Sequence, residues 1–446
     1  MSASRNSLQH GQHRIDELSG LLRGACRCVT SAAGKALGLA MMAALLLPVG
    51  CATDDLAPDY DGARALIASG TGAAKASVYD PNATPLTEQQ IADFLADGLT
   101  LDETVQLALL NSRRLQAGFM GLGMARADVV QAGLLENPSL GLSLLFPAGG
   151  GQSRLGAGLA QSVMEIWRLP ERRAVAEAGM EQQVLALANQ AALLVADVRV
   201  SYYRIVAARQ SQALAEGLAE LGQSGLRAMD QRVSAGIATA ADANDARGEA
   251  LQWVLDARLA RGVVAEEARQ LASMLSLKRE LLKVPLTTEL PLLGSTVPDH
   301  ETLMAQAQAC RLDVRALSAA IDVAESAIAL EEGRASPDVA VGLAFENPES
   351  DNPTDHVLGP SLRVELPIFD HNEAQISKAR FEWRQLRKLW LALDAELTQE
   401  LRAASDRAAL ALDVARFVQA ELLPQAERSQ SLAREARELG DSTEWQ

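Results

Sequence analysis

The sequence predicts a mainly α fold with β-hairpins, in which one plan of helix, strand pair and long helical hairpin is used twice. Three observations carry this. Aromatic residues make up only 4% of the 446 residues while Ala, Leu, Glu, Arg and Gln dominate, a composition that favours long helices because straight-chain side chains lose little rotamer freedom there. Two nine-residue segments, PSLGLSLLF at 138–146 and PDVAVGLAF at 337–345, alternate with period two and lie 199 positions apart. Between Pro170 and Ser234 no further proline occurs, a run of about 64 residues that would reach roughly 96 Å as helix, too tall for an ordinary globule.

At the N-terminus the apolar run ALGLAMMAALLLPVG (36–50) follows Arg23, Arg27 and Lys35, the charge-then-apolar order of a secretory signal. The run is short for a membrane-spanning helix, and a buried core helix or an inner-membrane anchor is the alternative. Residues 1–50 are assigned to the signal peptide. The run ends in Gly50-Cys51-Ala52, similar to a bacterial lipobox, which would make Cys51 the lipid attachment site; Pro48 departs from that pattern, and ordinary cleavage after Ala52 is the competing reading. Removal of 1–50 takes away five basic and two acidic residues and moves the formal charge from −16 to −19. So acidic a chain excludes nucleic acid as a partner, because phosphate binding needs a basic surface. Cys310 then remains without a partner for a disulfide.

Residues 51–98 form an N-terminal extension, and the first repeat covers 99–282. It opens with the helical stretch 102–135, followed by strands at about 138–147 and 156–166. Leu140, Leu142, Leu144 and Phe146 share one face of the first strand, and Gly141 and Ser143 the other. Gln161 and Glu165 interrupt the apolar face of the second. A long helix starts with Pro170 in its first turn. Val184, Leu187, Ala191, Leu194 and Val198 recur at spacings of three and four as a coiled-coil seam that Leu214, Leu218 and Leu221 continue, with bends expected at Gly179, Gly217, Gly222 and Gly225. The helix ends at Gly236, and Thr239 with Asp242 restarts it as a capping box. The return helix runs to about Leu277 with Leu251, Leu255 and Leu259 on one stripe. A proline-punctuated linker, 283–300, joins the copies.

The second repeat, 301–446, places strands at about 337–346 and 357–367. In its returning strand Leu358, Pro360, Leu362, Val364 and Leu366 oppose Gly359, Ser361, Arg363 and Glu365. One greasy and one charged face match the wall of a membrane barrel with a wet lumen; soluble hairpins packed on helices are the alternative. Four strands cannot close such a barrel, so the membrane reading requires several copies. The second long helix spans about 372–439, interrupted at Pro424, and Gly440 is the counterpart of Gly236. By analogy with the first copy a returning helix of about forty residues would follow, and the second repeat is expected to lack this last helix.

ENPSLGLSL, VRVSYYRIVAARQ, QRVSAGIATAADANDAR and LPIFDHNEAQISKARFE, in this duplicated order, resemble the outer-membrane efflux protein family typified by TolC, over residues 99–446. The resemblance implies a homotrimer in which duplicated long helical hairpins form a periplasmic α-barrel and each subunit gives four strands to a twelve-stranded outer-membrane β-barrel. It implies an equatorial collar from the chain before Leu99, the linker and the chain ends, with Ser143, Ser361, Arg363 and Glu365 lining the barrel lumen. Its implied partners are outer-membrane lipid, an inner-membrane efflux pump and a periplasmic adaptor protein, the adaptor meeting Arg232, Ala235, Gly236 and Ile237 at one hairpin tip and Arg437, Leu439 and Gly440 at the other. The implied function is passive conduction of substrates delivered by the pump. A secreted, lipid-anchored helical scaffold, or a non-conducting truncated remnant, is the alternative.

Catalytic chemistry finds no support in the sequence. His300, His356 and His371 lie in separate segments without metal-ligand spacing, Cys310 lacks a paired base, and GGGQ at 149–152 lacks the spacing of a phosphate loop. No cofactor or metal is expected, and Glu331 and Glu332 are read as a solvated helix face.

Overall fold

The computed structural model describes residues 57–438 apart from 73–75, 147, 149–152, 292–293, 295 and 348–356. The signal-peptide assignment and Cys51 therefore lie outside the described residues, as do Leu439, Gly440 and His356.

Helices α1 (Ala57–Gly70), α2 (Glu88–Ala96), α3 (Leu101–Asn111) and α4 (Arg113–Ala132) lead to strands β1 (Ser139–Leu145) and β2 (Arg154–Ser162). Helices α5 (Met164–Ser234) and α6 (Ala240–Met274) form the first long hairpin. The second copy holds α7 (His300–Cys310), α8 (Leu312–Arg334), β3 (Asp338–Glu346), β4 (Val357–Glu365) and α9 (Glu373–Phe417), then a π-helical turn (Val418–Leu422) and α10 (Leu423–Glu438). The starts of α3, α4 and β1 at 101, 113 and 139 recur in α7, α8 and β3 at 300, 312 and 338, each 199 residues later. Even the break between the paired helices is copied: Ser112 and Arg311 both adopt extended backbone, with ψ of 113° and 126°.

At 71 residues α5 is about 105 Å long, and the core gathers around its middle. Ala188, Ala191, Val195, Val198, Tyr202 and Ile205, spaced alternately three and four apart, are buried, a coiled-coil rhythm. Against them pack Tyr60, Ala63 and Ile67 of α1, Leu115, Phe119 and Leu122 of α4, and Leu271 near the end of α6. Phe119 receives the edges of Tyr60 and Tyr79 at centroid distances of 6.1 and 5.7 Å, a geometry worth about 1 kcal/mol per pair beyond area burial. One window of α5 is apolar enough to cross a membrane by length and composition, and 39% of it is buried inside the structure.

The seam corrects the predicted one. Leu187, Ala191 and Val198 are buried as expected, but Val184 and Leu194 are only half-buried, and the seam runs through alanines instead. Small residues let the helices approach closely, so they win the contact line. Leu214, Leu218, Leu221, Leu251, Leu255 and Leu259 are all exposed; the α5–α6 contact is made by Ala219, Gly222 and Gly225 against Ala243, Ala250 and Ala257. Helix α5 runs without interruption through its glycines from Met164 to Ser234, and Gly222 makes room for the Trp253 ring.

Helix α6 stops at Met274, three residues before the predicted end. Ser276 turns left-handed at φ 54°, and the amides of Ser276 and Leu277 bond the carbonyls of Ser273 and Ala272 at 3.0 and 2.9 Å, a Schellman closure. The buried Asn111 amide donates to the Leu275 carbonyl at 2.7 Å, so the α3–α4 joint caps α6. In the second long helix Pro424 does not end the helix; the ladder opens into the π turn just before it, where a proline ring would otherwise meet the carbonyl four residues back.

The linker is clasped rather than loose. Leu99 and Leu286 form an isolated parallel bridge, with the Leu99 amide on the Pro285 carbonyl at 2.9 Å and the Thr287 amide on the Leu99 carbonyl at 3.0 Å. Between them sits the fully buried Tyr202, whose hydroxyl donates to the Leu99 carbonyl at 2.8 Å and accepts from the Thr288 amide at 2.9 Å. Arg209, two turns further along α5, donates to the carbonyls of Leu282 and Val284 at 3.1 and 2.8 Å; burial lowers the pKa of its guanidinium.

Candidate channel wall and hairpin tip

The four strands form one antiparallel sheet in the order β1-β2-β3-β4. Residues directly opposite share a face, so the register sorts every side chain. Ser143 lies opposite Gly156, Gly342 opposite Ser361, Ala340 opposite Arg363 and Asp338 opposite Glu365. All four predicted lumen residues thus fall on one face, whose remaining positions in the middle of the sheet are Gly141, Gly158, Ala160 and Ala344. Ser162 hydroxyl to Asp338 carboxylate, 2.7 Å, is a bond on this face. The opposite face carries Leu140, Leu142, Leu144, Leu155, Leu159, Leu343, Leu358 and Leu362. Leu140 and Leu142 are about 70% exposed, at 69% and 71%, so within one chain nothing covers this surface.

Gly342 is required by close approach. A Cβ there would collide with the Leu159 carbonyl and lie 2.9 Å from the Ala160 Cα. Backbone bonds fix which strand each residue addresses. The Val163 amide donates to the Val339 carbonyl and the Asn347 amide to the Leu155 carbonyl, so odd-numbered β3 residues bond β2 and even-numbered ones bond β4. Pro360, opposite Leu343, therefore turns its nitrogen to the open edge, where a proline removes no rung of the sheet.

The strands are shorter than predicted where they meet the helices: β2 stops at Ser162 and β4 at Glu365, not at 166 and 367. Glu165 belongs to the first turn of α5, not to the strand face. Its carboxylate holds Arg168 at 3.2 Å and Arg172 at 2.7 Å, and these reach the carbonyls of Ser336 and Ala132. An acid in a first turn suits the positive end of the helix, and Pro170 consequently sits in the second turn of α5, not the first. On the other side Asn372 caps α9 in the left-handed conformation, φ 58°. Its amide donates to the backbone carbonyl and the carboxylate of Glu331, both at 2.8 Å. Arg334 pairs with Glu331 and Arg380 with Glu332 at 2.7 Å. Glu331 is therefore a fastener between α8 and α9, while Glu332 stays exposed, as a solvated face would have it, with Arg380 beside it.

The first hairpin tip forms as the sequence predicts. Ala235 is the cap residue and Gly236 is left-handed at φ 71°. Its amide bonds the Val233 carbonyl at 3.0 Å and the Ile237 amide bonds the Arg232 carbonyl at 2.8 Å, again a Schellman closure. The Asp242 carboxylate accepts from the amide and hydroxyl of Thr239, both at 2.8 Å, and these bonds hold it below the usual carboxylate range, Arg232 adding a smaller pull. Ile237 projects into solvent, 69% exposed. Arg437 lies in the last turn of α10. Among the described residues no three His, Cys, Asp or Glu side chains gather as a metal site, and Cys310 is exposed.

The sequence reading missed the Tyr202 clasp, the Asn372 cap and a run of exposed apolar residues where strands pass into helices. Only the second had a local signal, the Asp-His-Asn cluster at 370–372, since Asn tolerates the left-handed region.

Residues 104–276 match the family described as OEP, outer membrane efflux protein. A cobalt-zinc-cadmium resistance protein, CzcC, of Cupriavidus metallidurans is 26% identical over 402 residues, covering 90% of this chain and 90% of its own. The fold is similar to the CmeC outer membrane channel of Campylobacter jejuni, with a TM-score of 0.63, 15% identity and 84% of each chain covered. It is also similar to the outer membrane protein VceC of Vibrio cholerae, with a TM-score of 0.59, 15% identity, and 77% of this chain and 87% of that one covered. The duplicated architecture, the match across the first repeat and the relative spanning nearly the whole length make this chain similar to the outer membrane efflux proteins.

Proposed function

We propose that the chain is the outer-membrane channel subunit of a tripartite efflux system, a passive conduit filled by an inner-membrane pump through a periplasmic adaptor. One observation carries the reading: a two-faced sheet with both edges open is mounted on a helix about 105 Å long. Open edges in lipid leave backbone groups unpaired at several kcal/mol each, so the sheet needs further copies to close. Three copies give twelve strands, as the family resemblance implies. The exposed leucine stripes of α5 and α6 are then the faces turned to neighbouring copies, and the tip at Arg232, Ala235, Gly236 and Ile237 is the adaptor contact and the gate. Arg437, with Leu439 and Gly440, serves the second tip. Divalent transition-metal cations are the favoured cargo, supported by the CzcC relative and by the strongly acidic chain.

The test is a matched pair of substitutions on neighbouring residues. Leu142→Arg places a charge on the apolar face, where a barrel loses about 2–4 kcal/mol at mid-membrane, and should abolish recovery of trimer from the outer-membrane fraction. Ser143→Arg, on the opposite face, should leave assembly intact and alter ion flux. Equal tolerance of both would end the channel reading.

A further inference from the structure

The 199-residue repeat makes each copy a template for the other, and one seat is filled in the first copy alone. Helix α1 lies on the α4–α5 pair. Tyr60 meets Phe119 edge-on at 6.1 Å, Gly123 leaves room for the Tyr60 hydroxyl, and Asp59 pairs with Arg126 at 3.6 Å. In the second copy α8 repeats α4 at 199 residues and α9 repeats α5 at 202. The latter is the spacing from Ile166-Trp167 to Ile368-Phe369, and it carries the buried Val195 onto the buried Leu397. The residues 199 after α1 fall inside α6, which belongs to the first long hairpin. Among the described residues no helix therefore lies over the α8–α9 pair as α1 lies over α4–α5.

The uncovered groove has an apolar floor and a charged wall. Glu325, Ile328 and Ala329 of α8 and Trp383 and Arg384 of α9 line a cavity of about 360 Å³. Trp383 is half-buried, and its indole Nε1 is shielded from solvent with no acceptor among the described residues, a donor that a docked carbonyl or carboxylate would satisfy. Arg384 rests on the Phe381 ring at 5.4 Å and Arg387 on the Trp383 ring at 4.8 Å. These contacts hold the guanidinium groups in place and leave their charge uncompensated. Arg380 pairs with Glu332 at 2.7 Å, but among the described residues Arg384, Arg387 and Lys388 have no carboxylate partner. So local a positive strip on a chain of formal charge −16 draws an anionic partner. Lipid lies too far away to be that partner in the channel reading. By helical rise Arg384 and Lys388 stand about 17 and 23 Å along α9 from its first residue, whereas the headgroup layer is only about 5–8 Å deep.

We propose that the α8–α9 groove docks an acidic amphipathic helix of a second periplasmic protein, seated as α1 is seated in the first repeat. Its apolar stripe covers Ile328, Ala329 and Trp383 and its acids meet Arg384, Arg387 and Lys388, the helix-in-groove mode of recognition. Opposite Glu325, which stands where Arg126 stands in the first copy, it carries a basic residue in place of the acid that α1 presents. The periplasmic placement rests on the channel reading. Helix α9 starts beside the sheet, and Gly236 lies past the far end of the 71-residue α5, so this seat and the tip are separate surfaces.

The test uses the full-length protein in detergent and a fluorescein-labelled, lactam-stapled peptide of about the length of α1, read by anisotropy. The peptide has leucines along one face, glutamates beside them and a single lysine. The parent should bind it, and Arg384→Glu combined with Arg387→Glu should weaken binding at least about tenfold. A peptide with lysines in place of the glutamates should recover binding to that variant. A scrambled peptide of the same charge should bind the parent at least about tenfold more weakly than the amphipathic one; equal binding would show a strip that reads charge alone and would overturn the seat. Binding of phosphatidylglycerol micelles and not of the peptide would overturn it in favour of lipid, and loss of the trimer in the charge-reversed protein would overturn it in favour of a second copy. In each of these cases a parent that migrates as a trimer keeps the channel reading. A parent that is monomeric in detergent sinks the channel reading, while peptide binding still decides the groove.

Discussion

Replacing Tyr202 by Phe removes one oxygen from the buried centre of the clasp that joins the linker to the start of the first repeat. The Leu99 carbonyl would keep its bond from the Thr287 amide, but the Thr288 amide, which donates to the hydroxyl at 2.9 Å, would have no acceptor. A fully buried orphaned donor costs about 1–3 kcal/mol and the second lost bond about 0.5–1.5 kcal/mol; because the Thr288 amide is only part-buried, the lower part of both ranges applies and gives about 2 kcal/mol. Hydrogen exchange read by mass spectrometry should show the amides of Leu99 and Thr287, which close the bridge, exchanging about 30-fold faster if the clasp opens as a unit. Tyr203→Phe is the control, since that ring packs edge-on against Tyr202 at 5.8 Å and is only half-buried; it should leave both amides unchanged. A Tyr202→Phe protein whose Leu99 and Thr287 exchange as slowly as the parent would refute the assignment of the clasp to this hydroxyl.

Asn372→Ala should lower thermal stability by about 2 kcal/mol, because it loses the two bonds to Glu331 and puts in the left-handed region an alanine, which tolerates it less well than asparagine, whereas Asn372→Gly should recover roughly 1 kcal/mol of that. Gly342→Ala should weaken the proposed trimer on a heated SDS gel by about 1–3 kcal/mol, since the added methyl meets the β2 backbone; unchanged melting would show that the strands give way freely. The cap acids Glu103 and Asp242 are both held below their ordinary values, first by backbone amides. Their stabilisation is therefore full above the unfolded values of about 3.9–4.3 and is lost as pH falls through the lower folded ones. Pepsin cleavage near Gly236 should accordingly rise below about pH 4 in the parent and be flat with pH in Asp242→Asn.

The sheet was legible because a period of two leaves no choice of face: once Leu142 is apolar and Ser143 small, the register only has to pair like with like. Strand ends were less so. Glu165 in isolation looks like a polar break in a strand, and only its partners Arg168 and Arg172 show that it begins a helix. The seam of α5 was legible at Leu187, Ala191 and Val198 but missed where leucines were weighted above alanines, since Ala188 is buried while the larger Leu214 and Leu251 stay outside. The tip was readable to the residue, since a left-handed glycine followed by a threonine cap is local chemistry. The Tyr202 clasp was not, because its partners lie 103 and 86 residues away in sequence.

Pro360 has an effect that grows with assembly. Alone, the chain exposes a β4 border on which the ring denies an incoming strand one donor, which discourages runaway sheet growth between unassembled molecules. In the proposed ring of three copies, each of the three joints would inherit the same gap, one N–H short beside an otherwise continuous β3–β4 ladder. The joints between chains are therefore softer than the ladders within them, so a barrel forced apart should come undone into whole four-stranded panels.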